Sequence, residues 1–317
     1  MGMNRIQFQP GRSPEQFQEN FGTEEKCEKA LEDARWPEGF RCPRCGQSDY
    51  GIVNGRRHKR YQCKSCRHQT TLTAGTIMES TKLLLRTWFL AFYFISHAKN
   101  GISALELMRH LGVSYRTGWL LHHKIMKAMA LRDDAYVLCG KVQLDDAYLG
   151  GELNGGKAGR GSENKVPIVA AVSINSNGHP LRVKLSPVNG FTSEAIGDWA
   201  KAALDSSCEV VSDGLACFRS VTSNGCTHKP IVAAGRHPKD LPEFKWVNTF
   251  LGNLKTSISG TYHAFTFEKY SKRYMGAFSY LVNRRFDLSC LVVRIMVAVC
   301  SCAPHPEHKL RLAELPH

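Results

Sequence analysis

The chain has 317 residues, enough for two or three modules with at least one sizeable core. Hydrophobic residues make up 43% and charged residues 22%, an ordinary globular balance, but the net charge of +14 selects a polyanionic partner. Nucleic acid is the first candidate and an anionic membrane surface the second.

No apolar h-region with a small-residue cleavage site opens the sequence, so export is not expected. The most apolar late stretch, Leu288 to Ala303, is interrupted by Arg294 and is too short to span a bilayer; it reads as a buried helix or strand. With no membrane anchor expected, the charge points to nucleic acid. A cytoplasmic, reducing compartment is then expected, in which the 12 cysteines are thiols rather than a disulfide framework.

In chain order, residues 1–22 are polar and read as a loose, flexible arm. Cys27 to Arg35 has a helical pattern that Trp36-Pro37-Glu38-Gly39 ends. A small ribbon is expected within 23–80, where Cys42-Pro-Arg-Cys45 and Cys63-Lys-Ser-Cys66 form two CxxC knuckles separated by a hairpin-length spacer. Each pair can turn two thiolates onto one ion, and the hairpin can bring the pairs together into a tetrahedral site. With four thiolates the ion has no open position, so Zn²⁺ at Cys42, Cys45, Cys63 and Cys66 would be structural, supplying folding energy that a segment this small lacks. The basic run Arg56, Arg57, His58, Lys59 and Arg60 between the knuckles is either a solvated hairpin or a phosphate contact.

Leu83 to Ala98 is apolar and aromatic and reads as a buried helix, opening a helix-turn-helix region over 83–131. From Ser103 to Lys124, Leu105, Met108 and Leu111 share one face of a first helix. Gly112 permits a tight turn, Val113 acts as a staple and Ser114 caps the second helix. Trp119, Leu120 and Ile125 would face the core, leaving Tyr115, Arg116, Thr117, His122, His123 and Lys124 for DNA. The adjacent pair His122-His123 is no metal site, because neighbouring helical side chains point about 100° apart.

Arg132 to Gly140 reads as a linker. Strands are expected at Val142–Leu149, Pro167–Ile174, Leu181–Val188 and Glu209–Ser212, with a helix at Thr192–Leu204 and later helices near 243–257 and 267–284. Asp145 lies in the first strand, Asp213 just after the fourth, and Asn248 on a helix with Lys255 about two turns further on. Two strand-borne aspartates with a helix-borne third ligand can hold Mg²⁺ for phosphodiester chemistry, and Lys255 can hold a phosphate. Spacing alone leaves open that these aspartates are caps or turn residues, and alternation allows only one of Asp145 and Asp146 to face a metal.

The run from Arg35 to Gly46, then Tyr61 to Cys66 and Thr73-Ala-Gly-Thr76, resembles the zinc ribbon of ISXO-type insertion-sequence transposases. The resemblance continues through Gly101-Ile-Ser-Ala104, Leu111-Gly-Val-Ser114 and Asp145-Asp-Ala-Tyr-Leu-Gly-Gly151. It also takes in Gly159-Arg-Gly161 with Asn164-Lys165, Ser212-Asp-Gly214, Val247-Asn-Thr-Phe250, Gly260-Thr-Tyr-His263 and Asn283-Arg-Arg-Phe286, over roughly residues 23 to 290. It implies an α/β, RNase-H-like catalytic domain over 140–290, a mixed sheet with flanking helices, followed by a tail at 291–317.

The implied activity is Mg²⁺- or Mn²⁺-dependent cleavage and strand transfer at terminal inverted repeats. The implied ligands are Asp145, Asp213 and Asn248, with Lys255 as accompanying lysine; many related enzymes carry Glu where this chain has Asn248. Implied partners are double-stranded DNA and further copies of the chain, as a homo-oligomer on DNA, in a prokaryotic-type, nucleoid-associated setting. His263 is either a DNA-facing residue or a structural cap. The rival reading is a transposase-derived DNA-binding regulator without catalysis, and a structure-selective nuclease of the same fold leaves the ribbon and helix-turn-helix unexplained.

Overall fold

The structure is a computed structural model and describes residues 6–55, 59–150, 165–232, 236, 241–263 and 265–313. The chain forms two compact units. The first comprises Met1–Ala98, Ala104–Ala128 and Phe286–Leu310; the second comprises Lys99–Ser103, Met129–Arg285 and Arg311–His317.

In the first unit, α1 (Pro14–Phe21) starts with a capping box: the Ser13 hydroxyl accepts from the Gln16 amide and the Gln16 side chain accepts from the Ser13 amide. Phe17 and Phe21, one turn apart, are buried, so the segment expected as a loose arm is a helix from Pro14 onward. α2 (Glu24–Arg35) buries Cys27 and Leu31. The hairpin strands β1 (Tyr50–Val53), β2 (Arg60–Cys63) and β3 (Gln69–Thr70) form an antiparallel sheet whose core is aromatic, with Trp36, Phe40 and Tyr50 all packed on Tyr61.

α3 (Leu85–His97) buries Trp88, Phe89, Phe92 and Ile95, and its first amides, Leu85 and Arg86, donate to the Glu24 carboxylate of α2 at 2.7 and 3.0 Å. Phe21 of α1 packs on Phe89, and Phe17 on Tyr93. α4 (Ala104–Leu111) and α5 (Tyr115–Asp134) follow, joined at Gly112, whose φ of +63° is a left-handed conformation natural to glycine.

The second unit holds a five-stranded sheet of order β6-β5-β4-β7-β8, built from β4 (Lys141–Leu149), β5 (Val166–Ile174), β6 (Pro180–Pro187), β7 (Glu209–Ser212) and β8 (Thr227–Pro230). β4 pairs antiparallel with β5 and parallel with β7, so the sheet is mixed. α6 (Ser193–Ala203) and a 3₁₀ run, Ala216–Asn224, cover one face through Val142, Leu144, Val169, Ile196, Ala200 and Phe218. α7 (Lys245–Ser257) and α8 (Phe267–Asn283) cover the other through Ile168, Ala170, Val211, Val247, Phe250 and Met275. This is the expected α/β arrangement of a mixed sheet flanked by helices, consistent with an RNase-H-like domain. β5 is buried on both faces, as its unbroken apolar run requires.

Asn283-Arg-Arg285 is explained by packing. Asn283 donates to and accepts from the backbone of Val183 as a strand would, closing that part of the β6 edge. Arg284 is buried against the Asp133 carboxylate at 2.8 Å, and Arg285 donates to the carbonyls of Pro180 and Val282. Back in the first unit, α9 (Leu291–Ser301) buries Leu291, Val292, Ile295, Met296 and Val299, and α10 (Glu307–Leu310) ends the described helices. The span 291–317, expected as a tail, thus contributes a core helix, because residues of this kind each stabilise by about 1.5–3 kcal/mol when fully buried. Among the described residues no helix is long and apolar enough to cross a membrane.

Candidate metal centres and DNA-binding elements

Register alone brings two of the expected ligands together. Leu144 on β4 pairs with Ser212 on parallel β7, so the next positions, Asp145 and Asp213, lie side by side where β7 ends. The Asp213 carboxylate accepts the Leu215 amide at 3.0 Å in a turn that Gly214, at φ +91°, allows. The Ser212 hydroxyl is hydrogen-bonded to His228 Nε2 at 2.8 Å and accepts the Gly214 amide.

Asp146 joins them, against the expectation from strand alternation: Asp145, Asp146 and Asp213 each place a carboxylate oxygen within 4.8 Å of the others. Pairing with β7 stops at Leu144, so among the described residues no strand is paired to that side of β4 at Asp145 and Asp146, and both carboxylates come within reach of Asp213. The Asp145 carboxylate also accepts the Asp146 amide at 2.9 Å. Burial, then the negative charges of Asp146 and Asp213, push the Asp145 carboxyl up to about 7, while the Asp146 amide and the Lys255 ammonium pull it down. A half-buried cluster of three carboxylates with excess negative charge fits a hard divalent cation, whose ligands are oxygens.

Asn248 and Lys255 both lie on α7 with exposed side chains, and Lys255 is close enough for its charge to act on Asp145. The Gln143 side chain accepts the Trp246 and Val247 amides at the start of α7. Beyond Ser257 the helix runs into a π-helical turn, Ile258–Tyr262. His263 ends it at φ +50°, exposed, with its amide on the Ile258 carbonyl at 2.7 Å. Tyr262 packs on Tyr274, and a Cβ placed on Gly101 would sit 2.2 Å from the Tyr262 hydroxyl, which explains glycine there. Gly159-Arg-Gly161 and Asn164 lie outside the described residues.

In the first unit, one sulfur from each of Cys42, Cys45, Cys63 and Cys66 lies within 4.8 Å of the others, with Cys42–Cys66 and Cys45–Cys63 both at 3.6 Å. Zn–S bonds of about 2.3 Å set tetrahedral sulfur–sulfur distances near ~3.8 Å, so the four residues fit structural Zn²⁺. The knuckles repeat one geometry: Cys42 and Cys63 amides donate to Gln47 and His68 carbonyls, and Gly46 and Arg67 amides return to the cysteine carbonyls. The Cys66 and Ser65 amides lower the Cys63 thiol to about 6 against the effect of burial, while the neighbouring sulfurs push Cys45 up to about 12, so without a metal the first thiolate is held at Cys63 and not at Cys45.

The DNA-facing expectations fare unevenly. Arg56 and Arg57 lie outside the described residues; Lys59 pairs with Glu28 at 2.7 Å, and Arg60 is exposed. On α5, Tyr115 and Arg116 are exposed, but Arg116 is held by Glu307 at 2.8 Å. Thr117 is half-buried, its amide accepted by the Ser114 hydroxyl that caps the helix. Lys124 is half-buried in the lining of a cavity of about 470 Å³ with Trp88 and Leu121, and burial lowers its ammonium pKa. His122 and His123 are buried, His123 stacking on Trp119, so neither faces outward. On α4 the core residue is Leu107, and Leu105 is exposed, so the apolar face is displaced from the one the spacing suggested.

Known proteins match both units. Residues 137–283 match the model of an ISXO2-like transposase domain, and residues 22–69 match that of a transposase zinc-ribbon domain. An uncharacterized protein in transposable element ISH50 of Halobacterium salinarum is 31% identical over 137 residues. That match spans 43% of this chain and 45% of the relative, which is less than half of either.

Proposed function

Because the chain belongs to the ISXO-type zinc-ribbon insertion-sequence transposases, we propose that it binds the terminal inverted repeats of its element and catalyses metal-dependent phosphodiester hydrolysis and strand transfer. The observation that carries the catalytic part is the cluster of Asp145, Asp146 and Asp213 with the Lys255 charge beside it.

Asp145, Asp213 and Asn248 would hold Mg²⁺ or Mn²⁺. When bound, the ions would activate the attacking oxygen and stabilise the leaving oxygen. Lys255, exposed on α7, holds a phosphate oxygen of the DNA and offsets charge that develops on it. Asn248 offers an amide oxygen without charge, so the ion is held mainly by the aspartates. The released 3′-hydroxyl then attacks target DNA in the same centre.

Ribbon and helix-turn-helix read the element ends, through Arg56, Arg57, Lys59 and Arg60 and through Tyr115, Arg116, Thr117 and Lys124. The Arg116–Glu307 pair and the burial of Lys124 make these two candidates for backbone contacts that require local rearrangement. Two ends are brought together by a homo-oligomer on DNA, within the nucleoid-containing compartment.

The test is cleavage of a DNA fragment carrying the repeats that flank the gene, with Mg²⁺ or Mn²⁺, by wild type and Asp213→Ala. Metal-dependent nicking is expected from the wild type and a loss of at least about 10³-fold in the variant, with end binding kept. Retained cleavage in Asp213→Ala would sink the assignment; tight binding with no nicking by either protein would favour a DNA-binding regulator.

A further inference from the structure

We infer that Gln143 is a positioning residue of the metal centre, capping α7 from β4 so that Asn248 and Lys255 are held in register with Asp145. The inference rests on reading Asp145, Asp213 and Asn248 as metal ligands.

A helix opens with amides that have no acceptor within the helix, and a Ser, Thr, Asp or Asn just before it usually accepts one. α7 has Phe244 at that position and makes no side-chain cap there. Its acceptor comes from a residue 103 positions earlier: the Gln143 side-chain oxygen takes the Trp246 amide at 3.0 Å, and it also takes the Val247 amide at 3.1 Å. Gln143 is only 3% exposed, in a strand whose flanking residues Val142 and Leu144 are fully buried. An uncharged polar side chain at such depth needs hydrogen bonds, and these two supply them.

Strand alternation puts Gln143 and Asp145 on one face of β4, about 7 Å apart along the strand. Asn248 is the residue after Val247. Two bonds from one oxygen to successive amides set both the height and the rotation of the start of the helix, and a helix transmits that placement along its length. Lys255, further along the same helix, is near enough for its charge to lower the Asp145 carboxyl pKa. The cap therefore joins the strand that carries the first aspartate to the helix that carries the remaining groups.

The experiment is Mn²⁺ binding by the full-length, zinc-loaded protein, read from the free Mn²⁺ electron paramagnetic resonance signal, together with exchange of the Trp246 and Val247 amides. Gln143→Met keeps the volume and removes the acceptor, Gln143→Glu keeps an acceptor oxygen, and Ile196→Val perturbs the core on the opposite sheet face. Gln143→Met is expected to weaken Mn²⁺ binding about tenfold, to speed exchange of both amides more than about tenfold, and to raise the Mn²⁺ needed for half-maximal cleavage. Gln143→Glu retains protection of both amides, and Ile196→Val leaves Mn²⁺ affinity unchanged.

Unchanged Mn²⁺ affinity in Gln143→Met, or an equal loss in Ile196→Val, overturns the positioning role alone. No Mn²⁺ binding by the wild type, or wild-type binding by Asp213→Ala, overturns the metal-centre reading and this inference with it.

Discussion

The four cysteines of the ribbon come from two knuckles on one small three-stranded sheet, whereas the carboxylates come from two strands that meet only in the folded unit. The ribbon has little core beyond the aromatic cluster around Tyr61, so its metal stands in for packing. The carboxylate cluster sits on a sheet buried on both faces, which folds through Val169, Ala170, Val211 and their neighbours. There the carboxylates are charges imposed on a finished core, and burial first, then the neighbouring carboxylates, raise the Asp145 pKa. One metal builds its site; the other would relieve a site already built.

Metal removal should separate the two most widely. Chelation at neutral pH, or Cys63→Ser, is expected to unfold Phe40–Thr70, because structural zinc supplies about 10–16 kcal/mol of apparent folding free energy in small zinc domains. Hydrogen exchange should show the ribbon amides losing protection while β4 and β5 keep theirs. If β4 and β5 open together with the ribbon, the contrast fails.

The opposite sign is expected at the carboxylates. The Asp145 pKa lies above its ordinary value in the folded chain, so in the metal-free protein its contribution to stability is fully present below about pH 4 and is lost as pH rises through about 7. Asp145→Asn removes that loss. It should therefore raise the metal-free Tm at pH 8, by a stability of the order of a few kcal/mol, and leave Tm nearly unchanged at pH 4. Cleavage should vanish in the same variant. A metal-free Tm at pH 8 that falls would show the Asp145 charge to be compensated in the folded chain.

The same contrast decides what is legible in the sequence. Ligands on a local hairpin announce themselves by spacing, so Cys42, Cys45, Cys63 and Cys66 followed from chemistry alone. Asp145 and Asp213 were legible only through motif resemblance, since spacing carries no information about which strands become neighbours. Asp146 was set aside because alternation puts it and Asp145 on opposite faces of β4; the strand outruns β7 just there, and the two carboxylates come within reach of one another at its open edge. β8, a short mostly exposed strand beginning Thr-His-Lys, had no alternating apolar signal to find. α1 was missed because only Phe17 and Phe21 stand out from a polar segment, although Ser13 and Gln16 three residues apart were a capping-box signal. Gln143 reads as an unremarkable strand residue until α7 is in place above it.

A smaller effect sharpens the assignment of the third ligand. Asn248→Asp adds a negative charge at a helix start, where the macrodipole favours it, and, if Asn248 is the proposed third ligand, beside the cation site. Mn²⁺ affinity should rise several-fold, corresponding to about 1 kcal/mol. In the metal-free protein at pH 8, Tm should fall slightly as a fourth carboxylate joins the cluster. Unchanged Mn²⁺ affinity in titration would remove Asn248 from the ligand set while leaving the aspartates in it.

The smallest effect concerns the basic hairpin between the knuckles, where Lys59 and Arg60 are adjacent in sequence but differently engaged. Lys59 is paired with Glu28 at 2.7 Å, so a DNA phosphate would have to compete for it, whereas exposed Arg60 donates to the uncharged side chain of Gln69. Arg60→Ala should lower the slope of log affinity against log salt by about one, as expected for losing one phosphate contact. Lys59→Ala should lower it by less and change stability by under ~0.5 kcal/mol, the usual worth of a surface pair. Glu28→Gln should then strengthen binding to any DNA sequence, because it releases Lys59 and removes a negative charge beside it. Equal slopes for the two alanine variants, with no gain from Glu28→Gln, would mean that the hairpin meets DNA with the pair already broken.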